Sequence, residues 1–146
     1  MTRRARGQRG ETLIELLATI VIMSIAVVAV VTGIGVAITA SDTNNKQVTS
    51  LTVASNYAEA IAAAKYVPCA TTANYLPGSN VTYTPPANFT VSIVGNITYY
   101  DGTSSAPAAW VATCPSPDKG AQRMTIRVVS SDNRADRSLE IVKRGP

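Results

Sequence analysis

The sequence predicts an α+β protein with one long N-terminal helix, whose first half can span a membrane, and a C-terminal antiparallel sheet of about four strands. Three features support this fold class. Residues 16–41 are uncharged and mostly apolar, residues 42–66 keep helical periodicity without Pro or Gly, and residues 67–146 have the composition of strands and turns. We expect the sheet to pack one face on the outer half of the helix, residues 42–66.

The first ten residues form a basic segment without an apolar pattern. It contains no acid and four positive charges, from Arg3, Arg4, Arg6 and Arg9. Nine of the 13 Lys and Arg therefore remain to balance the nine Asp and Glu in the rest of the chain. The net charge of +4 belongs to this leader-like segment and not to a basic binding surface. The composition therefore does not favour nucleic acid as a main partner.

The apolar run is long enough to cross a membrane. As a helix, residues 16–40 would extend roughly 37 Å, against about 30 Å of hydrocarbon core. The arginines before the run and Asp42 after it favour a cytoplasmic N-terminus and an extracytoplasmic C-terminal part. The alternative is an ordinary signal peptide cut after Ala40, although its apolar region is usually about 7 to 15 residues and Glu15 lies near the start of this run.

Residues 42–66 predict an amphipathic continuation of the helix. Seven residues recur at helical spacings along one side of it, namely Val48, Leu51, Ala54, Ala58, Ile61, Ala62 and Lys65. Because the residue before a proline avoids helical dihedrals, Pro68 should end the helix near Tyr66. Gly33 and Gly35 each cost about 1 kcal/mol in a helix interior, so they predict a bend or a local melt earlier in the helix.

The C-terminal part, residues 67–146, is predicted to form strands joined by turns. Alternating apolar and polar residues predict four strands, over residues 89–93, 97–99, 124–128 and 139–141. Gly95-Asn96 is suited to a two-residue hairpin turn between the first two strands, and a polar turn near Asp132-Asn133 would join the last two. Residues 104–109 are loop-like.

Several kinds of chemistry are excluded or disfavoured. Histidine is absent, which removes imidazole catalysis and the common zinc sites. No set of nucleophile, base and orienting residue is visible, so we expect no enzyme and no cofactor. The acids show no calcium-loop spacing, so we expect no metal.

The cysteines and the clustered aromatic residues each leave two interpretations. Cys69 and Cys114 are the only cysteines, and an extracytoplasmic location favours a disulfide over two unrelated thiols. Trp110, Tyr99 and Tyr100 could face a ligand, but core packing is the interpretation that we favour.

The segment RGETLIELL, residues 9–17, lies between the basic leader and the apolar run. It resembles the class III signal of type IV pilins and type II secretion pseudopilins, in which a membrane-embedded prepilin peptidase cuts after a glycine. The resemblance covers about residues 6–40 and implies a pilin-like fold, cleavage between Gly10 and Glu11, and N-methylation of Glu11. A glycine suits the cut because its backbone can approach a protease closely. One departure is Glu11, since the family usually has phenylalanine there.

The resemblance also implies how the chain is organised and used. The leader, residues 1–10, is removed; residues 11–41 form the transmembrane and assembly half of the helix; residues 42–66 form its amphipathic half; and residues 67–146 form a β-rich extracytoplasmic head. The protein would be a filament subunit that self-assembles with other pilin subunits, helped by an assembly ATPase and a platform protein. The alternative is a minor pilin or an anchored head that binds DNA, a surface or a secreted substrate.

Glu15 places a carboxylate at the edge of the apolar run. A charge at the centre of a bilayer costs roughly 2.5 to 3.5 kcal/mol. This carboxylate therefore needs either a positively charged partner or a position at the membrane–water interface. The resemblance implies that Glu15 pairs with the freed amine of Glu11 on an adjacent subunit. Snorkelling of Glu15 is the alternative, and the Glu11 carboxylate could compete for that amine. Small residues permit close helix packing in the filament core, namely Ala18, Ser24, Ala26 and Ala29.

Overall fold

A computed structural model describes residues 13–103 and 109–145 of the chain. The chain divides into an N-terminal unit, Met1–Ser41, and a head unit, Asp42–Pro146. The elements in chain order are α1 (Leu13–Ala63), a short 3-10 helix (Thr72–Tyr75), β1 (Phe89–Tyr100), β2 (Trp110–Val111), β3 (Ala121–Ser130) and β4 (Asp136–Arg144). The predicted α+β layout, a long N-terminal helix followed by a four-stranded antiparallel sheet, is confirmed.

Within the N-terminal unit, the described residues form only helix, and all of them are exposed. Among the described residues, α1 is the helix whose length and composition would allow it to cross a membrane. Its hydroxyl groups bond to carbonyl oxygens one turn earlier, as Ser24 does to Ile20 at 2.7 Å and Thr32 to Val28 at 2.8 Å. These polar side chains therefore need no partner from outside the helix.

The helix continues through Gly33 and Gly35, so the predicted local melt is wrong. The cost of about 1 kcal/mol per glycine is paid inside a long helix that is already nucleated, where each added residue gains a backbone hydrogen bond.

In the head unit, α1 packs against the sheet through a face centred on Tyr57. Tyr57 is fully buried, and its hydroxyl donates to the carbonyl oxygen of Tyr75 at 2.7 Å. The other buried helix residues are Ser50, Val53, Ala54 and Ile61. The predicted face was partly wrong, because it included the exposed residues Val48, Leu51, Ala62 and Lys65 and missed Tyr57. The large aromatic side chain sets which side of the helix meets the core.

The sheet has the strand order β2-β1-β3-β4, and all neighbouring strands are antiparallel. The predicted hairpin at Gly95-Asn96 is wrong. The chain keeps its direction there, and β1 is one strand of 12 residues that pairs with β3 on both sides of a register shift between Val94 and Thr98. Gly95 has φ +72°, so the turn-like dipeptide forms a bulge within a strand. The predicted turn near Asp132-Asn133 does join β3 to β4.

Lys143 in β4 binds the end of α1. Its Nζ donates to the carbonyl oxygens of Ile61 at 2.8 Å, Ala62 at 3.2 Å and Ala64 at 2.6 Å. These belong to the carbonyl groups that a helix end leaves without helical partners. This contact explains why the helix ends at Ala63 and not near Tyr66, as Pro68 alone predicted. Burial lowers the pKa of Lys143.

Candidate functional site

The predicted processing site lies outside the described residues. Gly10 and Glu11, with the cleavage and methylation expected there, therefore remain predictions. Glu15 lies in the first turn of α1 and is exposed. Its carbonyl oxygen accepts a hydrogen bond from Thr19 Oγ1 at 2.8 Å. Within the described part of the chain, Glu15 takes part in no ion pair, so its carboxylate is available to a partner outside it.

The small residues of the apolar helix do not all share one face. At about 100° per residue, Ala18, Ala26 and Ala29 lie within an arc of roughly 80°, whereas Ser24 lies on another side. Ser24 and Ala29, together with Ile25 and Val28, line a shallow apolar recess. Ala18, Ala26 and Ala29 therefore form one strip for close approach, and Ser24, which the sequence grouped with them, lies outside that strip.

A ring of four alternating charges joins the start of the helical part of the head unit to the β3–β4 turn. Lys46 Nζ lies 2.9 Å from Asp42 Oδ2 and 2.5 Å from Asp132 Oδ2, and Arg134 lies 2.9 Å from Asp42 and 3.6 Å from Asp132. The hydrogen bond from Lys46 is the main reason that the pKa of each carboxyl group lies below its usual value. In the sequence, only the spacing of four residues between Asp42 and Lys46 signalled part of this ring, which was not predicted.

The structure joins Cys69 and Cys114 in a disulfide with a Cα–Cα distance of 5.5 Å. Asp118 lies beside it and accepts hydrogen bonds from the backbone N–H groups of Cys69 and Gly120, both at 2.7 Å, and from the Tyr66 hydroxyl at 2.8 Å. Burial alone would raise the pKa of Asp118, but these hydrogen bonds outweigh it and lower the pKa.

This junction is structural. The two sulfur atoms and an Asp118 oxygen lie within 4.8 Å of one another, as metal ligands might. Both sulfurs are bonded to each other, however, and zinc and similar ions need thiolates. The three residues instead tie the chain just after α1 to the segment before β3.

Buried polar groups hold the segment after the helix. Tyr75 is fully buried, receives a hydrogen bond from the Val67 N–H at 3.2 Å and donates one to Gln122 Oε1 at 3.1 Å. Gln122 in turn donates to the Val67 carbonyl oxygen at 2.7 Å. Burial raises the pKa of the neighbouring Tyr57 to about 12. These pairs are far apart in sequence, and no local signal identified them.

Tyr99, Tyr100 and Trp110, for which the sequence left ligand binding and core packing open, lie on both faces of the sheet. Tyr99 is buried in the core, and its hydroxyl donates to the Ala70 carbonyl oxygen at 2.8 Å. Tyr100 and Trp110 are half-buried, pair across β1 and β2, and have ring centroids 6.1 Å apart. The favoured interpretation, core packing, therefore describes Tyr99 alone.

Comparison with known proteins identifies one family signature. The prokaryotic N-terminal methylation motif matches residues 5–31. No curated protein and no solved structure matches the chain. The motif is the signal of type IV pilins and pseudopilins, and the chain carries it on a pilin-like layout of long helix and four-stranded sheet.

The motif has several implications for function. It supports a prepilin of the type IV pilin or pseudopilin type and suggests a structural subunit rather than an enzyme. It implies assembly with other pilin subunits and processing by prepilin peptidase. Together with the apolar helix, it fits a membrane-anchored protein.

Proposed function

We propose that this protein is a structural subunit of a type IV pilus or of a type II secretion-like filament, cut after Gly10 and assembled through α1. One observation carries the proposal. The methylation motif over residues 5–31 includes the first part of a helix that exposes apolar side chains on all sides from Leu13 to Ala40. Such a surface needs lipid or other helices around it.

Assembly exchanges one apolar environment for another. The helix is first stored in the membrane, with the N-terminus in the cytoplasm and the head outside. The assembly ATPase and platform protein then move it into the filament. Because lipid is as apolar as neighbouring helices, close packing and specific polar contacts must supply the preference for the filament. The strip with Ala18, Ala26 and Ala29 permits that close packing.

Glu15 would supply the specific polar contact. Two unit charges 4 Å apart interact by about 4 kcal/mol at an effective dielectric constant near 20, before desolvation is subtracted. Desolvation offsets much of this attraction, so the pair of Glu15 with the amine of Glu11 on the next subunit sets the register of subunits more than it holds them together. N-methylation of Glu11 would keep the positive charge of that amine.

The proposed segments are the leader (1–10), the transmembrane and assembly half of the helix (11–41), a segment that contains its amphipathic half (42–66, helical as far as Ala63) and the extracytoplasmic head (67–146). The Cys69–Cys114 disulfide supports the placement of the head, since disulfides persist in oxidising compartments.

Intact-mass measurement of the protein from native membranes tests the proposal. A mature chain that begins at Glu11, and a Gly10→Leu variant that accumulates as precursor, are the expected results. A mature chain that begins at Ser41 would instead show that the segment is an ordinary signal peptide.

A minor pilin or an anchored binding head is the second candidate, because Trp110 and Tyr100 lie together outside the core. Counting this chain in sheared filaments distinguishes the two. Many copies along each filament favour the structural subunit, whereas labelling at the tip alone favours the minor pilin.

A further inference from the structure

A row of side chains crosses all four strands on the face of the sheet that points away from the core. It consists of Trp110 on β2, Tyr100 and Thr98 on β1, Arg123 on β3 and Val142 on β4. Their cross-strand pairs are Tyr100 with Trp110, Thr98 with Arg123, and Arg123 with Val142. We call this set the open-face row. None of its members belongs to the hydrophobic core of the described chain.

Arg123 is held in place within the row. Its guanidinium carbon lies 5.1 Å from the ring centroid of Trp110, and its Nε donates to Thr98 Oγ1 at 3.3 Å. Stacking on an aromatic ring and a hydrogen bond through Nε fix the planar group, so less side-chain entropy is lost when it binds an anion.

Among residues 13–103 and 109–145, no group accepts a hydrogen bond from the terminal nitrogens of Arg123. The acid that approaches them is Glu140, whose Oε1 lies 3.9 Å from Nη1, a distance too long for a hydrogen bond. The Glu140 side chain is also 60% exposed, so the attraction is screened. The contrast on the same face is Arg127, which makes two hydrogen bonds to Asp136 through Nε and Nη2.

The composition of the row is that of a binding surface. Trp, Tyr and Arg are the residue types that most often dominate the energy of binding interfaces. Exposed apolar side chains lie at or beside the row, with Val142 47% and Val94 44% exposed. The row is a strip that crosses the strands, which suits an extended ligand better than a compact one that needs a pocket.

We propose that the open-face row binds an acidic polysaccharide, with Arg123 taking a sugar carboxylate and the rings of Tyr100 and Trp110 packing against the sugar rings. The guanidinium fork matches a carboxylate in two parallel hydrogen bonds. A sugar chain supplies both an anion and apolar C–H faces, whereas a simple anion supplies only the first. The proposed head location, outside the cell membrane, is where such polymers occur.

Two other occupants fit the row less well. Binding single-stranded nucleic acid needs a continuous cationic groove along the phosphates. On the described strands of this face, Arg127 is already paired with Asp136, which leaves two cations, Arg123 and Arg144, rather than a groove. A second copy of this chain would need an exposed acid without an ion pair. In the described head unit, Glu59 is such an acid, but it lies on α1, the element that the proposed filament already uses.

The test is binding of the full chain, held in detergent micelles, to immobilised polygalacturonate. Dextran is the neutral comparator, and poly-glutamate and single-stranded DNA are the other polyanions. We expect Arg123→Gln to weaken binding at least about tenfold, since hot-spot residues have losses of this size. Arg123→Lys should lose nearly as much, because lysine keeps the charge but lacks the fork. Trp110→Leu should weaken binding to a smaller extent.

Arg127→Gln is the matched control, since it removes an arginine from the same strand and face. It should change the affinity by less than about twofold, as expected for a side chain outside the hot spot. Equal losses from the Arg123 and Arg127 variants would show nonspecific attraction and overturn the proposal. So would absence of binding to polygalacturonate, equal binding to poly-glutamate or DNA, or full binding by Arg123→Lys. The assay uses unassembled chains, so its outcome is independent of filament formation.

Discussion

The N-terminal unit and the head unit satisfy their polar groups by opposite means. In the described part of the N-terminal unit, backbone groups beyond the first turn find their partners within one helix, and hydroxyls such as that of Thr19 bond to the preceding turn. In the head unit, buried polar groups find partners far away in the chain, as Lys143 does at the end of α1 and Tyr75 does at Gln122. The first arrangement is local and the second depends on the fold.

This difference predicts where each unit is vulnerable. A helix that needs no internal tertiary contacts should keep its structure after most substitutions, so changes there should act on its contacts with other molecules. A head built on few long-range polar contacts should lose stability when one partner is removed. The predictions below test this division, from the largest expected effect to the smallest.

Glu15→Gln should leave cleavage after Gly10 intact and strongly reduce incorporation into filaments. Glu15 lies beyond the predicted scissile bond, so the peptidase meets the same glycine and apolar run. The neutral amide cannot compensate a buried ammonium group from the next subunit, and breaking a buried pair in this way costs about 3 to 5 kcal/mol. That corresponds to roughly a thousandfold in one association step. Immunoblotting of membrane and sheared-filament fractions measures both outcomes.

Glu11→Gln is the control for this experiment, because it removes the other acid near the same amine. It should have the milder defect. Normal filaments from Glu15→Gln, or a worse defect from Glu11→Gln, would mean that the charge partner of the N-terminal amine has been assigned wrongly.

Reduction of the Cys69–Cys114 disulfide should destabilise the head unit and leave the helix of the N-terminal unit in place. The two residues are 45 positions apart. For a loop of that length the chain-entropy model gives roughly 4 kcal/mol, an upper-range figure. Thermal melting of the full chain in detergent, with and without reductant, measures the effect. A Cys69→Ser, Cys114→Ser double variant should have the melting temperature of the reduced protein, and reductant should not change it. An unchanged melting temperature of the wild-type protein after complete reduction would contradict the prediction.

Lys143→Met should destabilise the head unit because it removes the donor that three carbonyl groups of the helix end share. Leaving buried acceptors without partners costs about 1 to 3 kcal/mol, and methionine retains most of the apolar packing of the lysine stem. Chemical denaturation monitored by tryptophan fluorescence gives the free energy of unfolding. Arg144→Met is the neighbouring control; the side chain is exposed, and the change should be within about 0.5 kcal/mol. Equal effects would argue against a specific role for Lys143.

The same division between local and long-range contacts explains which structural features could be predicted from the sequence. The apolar helix, the strand character of β1, β3 and β4, and the turn at Asp132-Asn133 were predictable because composition and periodicity are local signals, whereas the two-residue strand β2 was not predicted. The hairpin predicted at Gly95-Asn96 was wrong because the same dipeptide suits both a hairpin turn and a bulge, and only pairing with β3 decides between them. The role of Lys143 could not be predicted for a similar reason, since no local pattern links a strand residue to the Ala64 carbonyl group, 79 positions away and just after the helix.

Asp132→Asn should have the smallest effect, because the charge ring of Asp42, Lys46, Asp132 and Arg134 is largely solvated. Exposed ion pairs contribute little, so the fall in melting temperature should be smaller than that for Lys143→Met.

The sign of the pH dependence follows from the lowered pKa of Asp132, whose ordinary value is 3.8. Its stabilisation is complete well above pH 3.8 and disappears as the pH falls through the lower value of the folded state. The difference between the wild-type protein and Asp132→Asn should therefore be largest at pH 7, shrink below pH 3.8, and also shrink in high salt. Melting curves at several pH values and salt concentrations measure it. A difference that persists unchanged in strong acid would mean that Asp132 acts through its hydrogen bond with Ser130 rather than through its charge.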